Sequence, residues 1–149
     1  MFSSESTNDE RYNRSARKDD WKTMEMPEQN EKFILEADFT DEQIEVLKRG
    51  HIPKALEDKW FRYAEGDTLY IHRSWGGICL FIIEFRDDGK HLVTVNRDPE
   101  QYSRNDLEYD FRWLTRCLAR WIDSDYSYYD EWLGETVESI ENAKMKPVE

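Results

Sequence analysis

The sequence predicts one α+β domain, in which a four-stranded antiparallel meander is covered by a long helix. Apolar residues alternate with a period of two between residues 60 and 96, which is typical of strands. A helical period follows after residue 105. A chain of 149 residues with 38% hydrophobic content is long enough for one ordinary core. We therefore assign residues 33–146 to this domain, with a short N-terminal helix and an acidic C-terminal helix at its ends.

Residues 1–32 are predicted to form a disordered tail. They are rich in Ser, Asn, Asp, Glu, Arg and Lys, and their charges show no helical period. Segments of this composition cannot bury enough apolar surface to offset the entropy lost on ordering. Pro27 interrupts any helix near the end of the tail.

A short helix is predicted to begin after Thr40. Thr40 and Gln43 have the spacing of a capping box, in which each side chain satisfies a backbone N–H of the other residue. Ile44 and Leu47 provide an apolar stripe, and Gly50 is a typical residue at the end of a helix.

The meander is predicted from alternation and from two glycine-containing turns. The turns are residues 65–67 and residues 87–89. The third strand is apolar on both faces, which favours a central position in the sheet. The four predicted strands are residues 60–64, 68–75, 78–85 and 91–96.

Two further helices are predicted after the sheet. Residues 105–123 carry a continuous apolar stripe that should cover one face of the sheet, formed by Leu107, Phe111, Leu114, Leu118 and Trp121. Residues 129–144 form the acidic helix, which we expect to pack on the first helix or on a second copy of the chain.

Composition excludes several functional classes. A formal net charge of -12 repels DNA, RNA and anionic membranes, but it suits a basic protein partner. No apolar run approaches the roughly 20 residues of a transmembrane helix, so we expect a cytoplasmic protein. Cys79 and Cys117 lack zinc-site spacing and fit buried thiols, and we expect no metal or cofactor.

The most site-like segment is residues 72–77, His-Arg-Ser-Trp-Gly-Gly. Arg73 can bind phosphate or carboxylate, Trp75 can stack on a base, and the glycines let backbone N–H groups approach an anion. His72 and Ser74 complete the candidate ligand-binding group. The alternative is a glycine loop that ends a strand, with Trp75 in the core.

A second candidate group, Asn96 and Arg97, follows the last predicted strand. In a four-stranded meander the second and fourth strands run in the same direction, which places Arg97 at the same sheet edge as Arg73. The alternative is a turn in which Asn96 and Asp98 bond to the backbone before Pro99.

Catalysis has little support in the sequence. Ser74 and His72 lie two positions apart in one strand, and no third residue is indicated that would orient them as nucleophile and base. Glycine patterns that bind phosphate are absent. The row Glu108, Arg112, Arg116 and Arg120 is typical of a solvated helix face.

Three short motifs occur in residues 60–63 (W-F-x-Y), 72–77 (H-R-S-W-x-G) and 95–102 (V-N-R-x-P-x-Q-Y). Together they resemble a little-characterised family of small bacterial and phage proteins. Some members of that family are named ADP-ribosylglycohydrolases. The resemblance covers residues 59–122 and implies binding of ADP-ribose or a related nucleotide, with the matching positions Arg73, Ser74, Trp75, Asn96 and Arg97. It does not imply glycohydrolase activity, since the chain is much shorter than such enzymes.

Two functions follow as hypotheses. The first is a non-enzymatic module that binds an anionic nucleotide-like ligand related to ADP-ribose or NAD, in bacterial or phage defence. The alternative is an acidic inhibitor that blocks a basic, nucleic-acid-binding protein, as anti-defence proteins do. The acidic residues concentrated toward the C-terminus motivate the alternative.

Overall fold

The computed structural model describes residues 10–124 and 142–148 of the chain. Its architecture is α+β, and two short 3-10 turns (Glu10–Asn13 and Lys18–Asp20) precede the first strand. The helices and strands, in chain order, are β1 (Asn30–Glu36), α1 (Asp41–Arg49), β2 (Trp60–Glu65), β3 (Thr68–Arg73), β4 (Cys79–Glu84), β5 (Lys90–Asn96), α2 (Leu107–Ser124) and β6 (Lys144–Lys146).

The prediction of a four-stranded sheet is wrong, because the sheet has six strands in the order β2-β3-β4-β5-β1-β6. All neighbouring strands are antiparallel. The predicted meander is the consecutive part of this sheet, β2 to β5. The first strand of the chain then pairs along β5, and β6 adds a short outer strand beyond it.

The two extra strands have weak local signals. β1 contains four polar residues among seven, and only Phe33 and Leu35 are fully buried in it. β6 is three exposed residues long, so it has no apolar alternation to detect. The expected C-terminal helix, residues 129–144, falls largely outside the described residues, and its last position, Lys144, lies in β6.

The predicted helix starts agree with the observed caps. The Thr40 hydroxyl accepts from the Gln43 N–H, and the Gln43 side chain accepts from the Thr40 N–H, as in a capping box. Asp106 Oδ1 accepts the N–H of Glu108 at 3.0 Å and so caps α2. Neither α1 nor α2, the α-helices of the described part, is long and apolar enough to cross a membrane.

Both helices lie on one face of the sheet and enclose the main core. Because side chains alternate across a strand, every second residue of the central strands points to this face. The core includes Trp60, Phe81 and Val95 from the sheet, Leu47 from α1 and Trp121 from α2. We call this side the helix face.

The opposite side, which we call the strap face, is partly covered by residues 10–29. This N-terminal strap belongs to the segment that we expected to be a mobile tail. Its Trp21 stacks on Phe61 of β2 with ring centroids 6.3 Å apart, and Ala16 is buried in the same cluster. The burial of Ala16 and the partial burial of Trp21 offset part of the conformational entropy that the segment loses on ordering.

The strap is held where it crosses the β3–β4 turn. The Met24 N–H donates to the Gly77 carbonyl at 2.8 Å, and Trp21 Nε1 donates to the Ser74 carbonyl at 2.8 Å. A Cβ on Gly77 would lie 2.2 Å from the Lys22 carbonyl oxygen, so the close approach requires glycine.

Candidate functional site

The segment 72–77 does not form one site, because its side chains point to both faces of the sheet. Arg73 lies on the helix face, where its guanidinium stands 4.8 Å over the Trp60 ring. His72 lies on the strap face, stacked on Tyr63 at 5.6 Å. The separation follows from the strand itself, in which successive side chains alternate.

Ser74 and Trp75 hold the turn together. The Ser74 hydroxyl donates to the Asp58 carbonyl at 2.7 Å and is buried. Trp75 is 64% exposed, and its Nε1 donates to the Leu56 carbonyl at 3.1 Å. Trp75 therefore does not lie in the core. It is also not among the described residues that line the cavity beside Arg73.

Asn96 forms the turn that follows β5. Its amide donates to the Cys79 carbonyl and to Gln101 Oε1, each at 2.9 Å, and its carbonyl oxygen accepts the Asp98 N–H at 2.8 Å. The residue is fully buried. Because both ends of the amide are occupied, the arrangement favours the turn interpretation over ligand binding.

Arg97 sits at the same sheet edge as Arg73 but is engaged within the protein. Its Nη2 contacts Asp110 Oδ2 and its Nε contacts Glu31 Oε1, both at 2.5 Å. Asp110 is fully buried and also accepts from the Tyr102 hydroxyl. Burial, followed by the bond to Asp110, raises the pKa of Tyr102 and keeps it a neutral donor. Two carboxylates therefore balance the charge of Arg97.

A cavity of about 260 Å³ opens instead beside Arg73 on the helix face. We call it the arginine cavity. Arg104, in the loop between β5 and α2, is its second cation, and the guanidinium of Arg104 lies 3.9 Å from the centre of the Tyr109 ring. The other lining residues are aromatic or aliphatic: Leu80, Tyr102 and Trp113.

Three elements bring these residues together. Tyr109 and Trp113 are four positions apart on α2, so both rings project from the same side of its first turns. Trp113 is fixed in place by stacking on Phe81 at 5.8 Å and by contact with Trp60 at 5.1 Å. Leu80 occupies the irregularity where the β3–β4 register shifts. A wall of packed rings thus lies beside two guanidinium groups, each of which is itself placed over an aromatic ring.

The arginine cavity is the part of the described surface that best suits an anion. Among the described residues that line it, none is a carboxylate. Guanidinium groups bind phosphate and carboxylate with paired hydrogen bonds, and aromatic rings stack on flat ligands. The site can hold a ligand that is negatively charged at one end and flat at the other.

Sequence reasoning found Arg73 but not the other walls of this cavity. Arg104 and Trp113 were not among the predicted site residues, because Arg104 precedes the predicted helix 105–123 and Trp113 lies within it. The spacing of Tyr109 and Trp113 is a signal for a shared helix face. Only the packing of α2 on the sheet shows that this face meets Arg73.

No group of three or more His, Cys, Asp or Glu side chains within residues 10–124 and 142–148 is arranged to hold a metal ion. Comparisons with protein-family models, with curated proteins and with solved structures found no match for this chain.

Proposed function

We propose that the protein is a binding module for an anionic, nucleotide-like ligand, which it takes up in the arginine cavity. The observation that carries the proposal is the pairing of Arg73 and Arg104 with three aromatic rings in a chain of net charge -12. These two cations face a cavity whose described lining contains no carboxylate, and this arrangement favours a local positive potential on an acidic protein. The resemblance of residues 59–122 to the family described above narrows the ligand to ADP-ribose or a related nucleotide.

The dimensions of the cavity limit which part of the ligand is enclosed. Typical small-molecule sites measure roughly 300–1,000 Å³, and the arginine cavity measures about 260 Å³. We expect it to enclose one end of a nucleotide, with a phosphate at the arginines and a flat group against Trp113. The remainder of the ligand would lie across exposed Tyr109.

Isothermal titration calorimetry with AMP, ADP-ribose and inorganic phosphate tests this function. A hydrogen bond to a charged group contributes about 1.5–3 kcal/mol, so Arg73→Gln and Arg104→Gln should each weaken binding by roughly 10- to 150-fold. Trp113→Leu should weaken AMP and ADP-ribose but leave phosphate little changed. Binding that is unaffected by either arginine substitution would overturn the assignment.

Arg112→Gln is the matched control. Arg112 lies on the same helix but is exposed and pairs with Glu108 at 2.7 Å, away from the cavity. Its substitution removes one positive charge without changing the cavity wall, so ligand affinity should stay within about two-fold, as expected for a screened charge. Circular dichroism of each variant checks that it keeps the fold.

A second function, capture of a basic protein, is favoured by a different cavity. A cleft of about 500 Å³ lies between α1 and the β4–β5 turn. Its lining includes six carboxylates, of Asp38, Asp41, Glu45, Asp67, Asp87 and Asp88. Lys48 and Arg86 are the cations of the same lining, so the carboxylates remain in excess.

A lysine-rich peptide distinguishes this second function from nucleotide binding. If the cleft binds basic groups, affinity should fall steeply as salt rises, and combining Glu45→Gln with Asp87→Asn should weaken it further. Asp123→Asn, on an exposed residue of α2, removes charge elsewhere and serves as the control. Equal loss in the control and the cleft variant would show a non-specific charge effect and reject the cleft.

A further inference from the structure

The two most exposed large apolar side chains within residues 10–124 and 142–148 lie beside each other. Leu56, in the loop before β2, is 72% exposed, and Trp75, in the β3–β4 turn, is 64% exposed. Trp75 Nε1 donates to the Leu56 carbonyl oxygen at 3.1 Å, so the two residues are in contact. We call this pair the tryptophan patch. Neither residue lines the arginine cavity or the acidic cleft.

Hydrogen bonds hold the tryptophan patch in place. The Ser74 N–H donates to the Lys59 carbonyl at 2.8 Å, and the Ser74 hydroxyl donates to the Asp58 carbonyl at 2.7 Å. Together with the Trp75 indole bond, they join the loop that carries Leu56 to the β3–β4 turn. A side chain that is ordered before binding loses little entropy on binding. Tryptophan is also enriched among the residues that contribute most to protein interfaces.

The surroundings of the ring determine what a partner must offer. Because the indole N–H of Trp75 is already bonded to Leu56, the ring needs no further acceptor and presents apolar surface. The Lys59 ammonium lies 5.5 Å from the ring centroid, which is within cation–π range. An apolar pocket with a carboxylate at its rim can therefore cover the ring and pair with Lys59.

The charge around the tryptophan patch is opposite in sign to that of the whole chain. Lys22, Lys54 and Lys59 belong to the segments that meet here, and Glu57 is the exposed carboxylate among them. The carboxylate of Asp58 is fully buried. This local excess of cations favours a partner with local carboxylates. The net charge of -12 repels extended polyanions such as nucleic acid, so the complementary partner is a protein.

We propose that the tryptophan patch is a docking surface for a separate protein, which covers Trp75 and Leu56 with an apolar pocket and pairs a carboxylate with Lys59. The proposal does not depend on nucleotide binding in the arginine cavity. It also requires the opposite partner charge from the acidic cleft, so one basic peptide cannot satisfy both surfaces.

Selection from a displayed library of random peptides tests this surface, with the Trp75→Ser variant used for counter-selection. Enriched sequences should combine aromatic or aliphatic residues with Asp or Glu. Fluorescence anisotropy then measures the affinity of the most enriched peptide. Trp75→Ser should weaken its binding by about 30-fold or more, as for other interface hot spots. Lys59→Gln should weaken it by about two- to five-fold, as expected for an exposed ion pair.

Two control variants separate this surface from the others. Val148→Ser shortens a side chain that is 46% exposed and follows β6, at the far edge of the sheet, so it should leave the affinity unchanged. Arg104→Gln should also leave it unchanged. A loss in Arg104→Gln would show that the peptide binds as an anion in the arginine cavity, and it would overturn the proposal.

NMR spectra of the unsubstituted protein provide a readout that needs no variant to fold. At saturation with the peptide, the indole N–H resonance of Trp75 should shift, whereas those of the fully buried Trp60 and Trp121 should stay in place. An unshifted Trp75 resonance, no enrichment over the Trp75→Ser variant, or enriched sequences that are basic would each overturn the proposal. A molar mass that rises with protein concentration, but not in Trp75→Ser, would assign the patch to a second copy of the chain and overturn it as well.

Discussion

Replacing Gly77 with Ala should detach the N-terminal strap, whereas replacing its neighbour Gly76 should not. Both glycines have positive φ, 72° and 76°, so an added Cβ carries a similar backbone penalty of about 1–2 kcal/mol at either position. They differ in their surroundings. A Cβ at Gly76 meets nothing within 4 Å, but at Gly77 it would lie 2.2 Å from the Lys22 carbonyl oxygen.

The difference in the free energy of unfolding between the two variants should equal the contribution of the contacts that the strap loses in Gly77→Ala. Two hydrogen bonds, from Met24 N–H to Gly77 and from Trp21 Nε1 to Ser74, stabilise the crossing. Each contributes about 1 kcal/mol, and the ring pair of Trp21 and Phe61 adds about 0.5–1.5 kcal/mol. Gly77→Ala should therefore lower the free energy of unfolding by about 2.5–3.5 kcal/mol more than Gly76→Ala.

Urea unfolding at equilibrium measures the two free energies, and amide hydrogen exchange locates the change. Exchange in residues 10–29 should accelerate in Gly77→Ala and remain unchanged in Gly76→Ala. A difference between the two variants below about 0.5 kcal/mol, which is the usual range for surface substitutions, would refute the reasoning that the strap is part of the folded domain.

The remaining predictions concern ionisable groups. Arg97→Met should lower the free energy of unfolding by about 3–5 kcal/mol because it leaves the buried Asp110 carboxylate without its cation. In urea unfolding, the double variant Arg97→Met, Asp110→Asn should recover much of that loss. A double variant no more stable than Arg97→Met alone would contradict the pairing. Burial lowers the pKa of His72 and His91 below the ordinary 6.5, so the folded protein binds fewer protons than the unfolded chain. The contribution of the two neutral histidines to the free energy of unfolding should therefore be complete above about pH 6.5. Below that pH it should fall by up to about 1.4 kcal/mol per pH unit for each histidine. Urea unfolding from pH 7.5 to pH 5.5 checks this slope, and a flat profile would count against neutral buried histidines.

Local patterns predicted the elements whose signals are local. The capping box at Thr40 fixes the start of α1, and period-two alternation identifies β2 to β5. β1 was missed because most of its residues are polar and its pairing partner, β5, is distant in the sequence. Neither residue propensity nor hydrophobic periodicity can predict the pairing of β1 with β5, because that pairing depends on tertiary structure.

In the candidate site, too, local patterns predict some residues, whereas others are brought there only by the tertiary structure. Arg73 was identified from its place at a strand end, and the arginine cavity includes it. Arg97 was placed at the correct edge, but its partners Glu31 and Asp110 come from two other elements, so its charge balance was not visible in the sequence. Trp75 was predicted to stack on a ligand because it lies beside Arg73 in the sequence, whereas the tryptophan that lines the cavity with Arg73 is Trp113, which the packing of α2 brings there.

The insertion of β1 between β5 and β6 determines the order in which the sheet can be completed. β1 is synthesised before every other strand of the sheet, whereas its main partner, β5, is the last strand of the meander to be made. Until β1 pairs with it, the outer edge of β5 is open, and an open edge of this kind can recruit strands from other chains. Pairings between distant segments also slow folding, because a long loop must close before they form. In the folded protein the N-terminal strand covers the edge that the meander would otherwise leave open at β5.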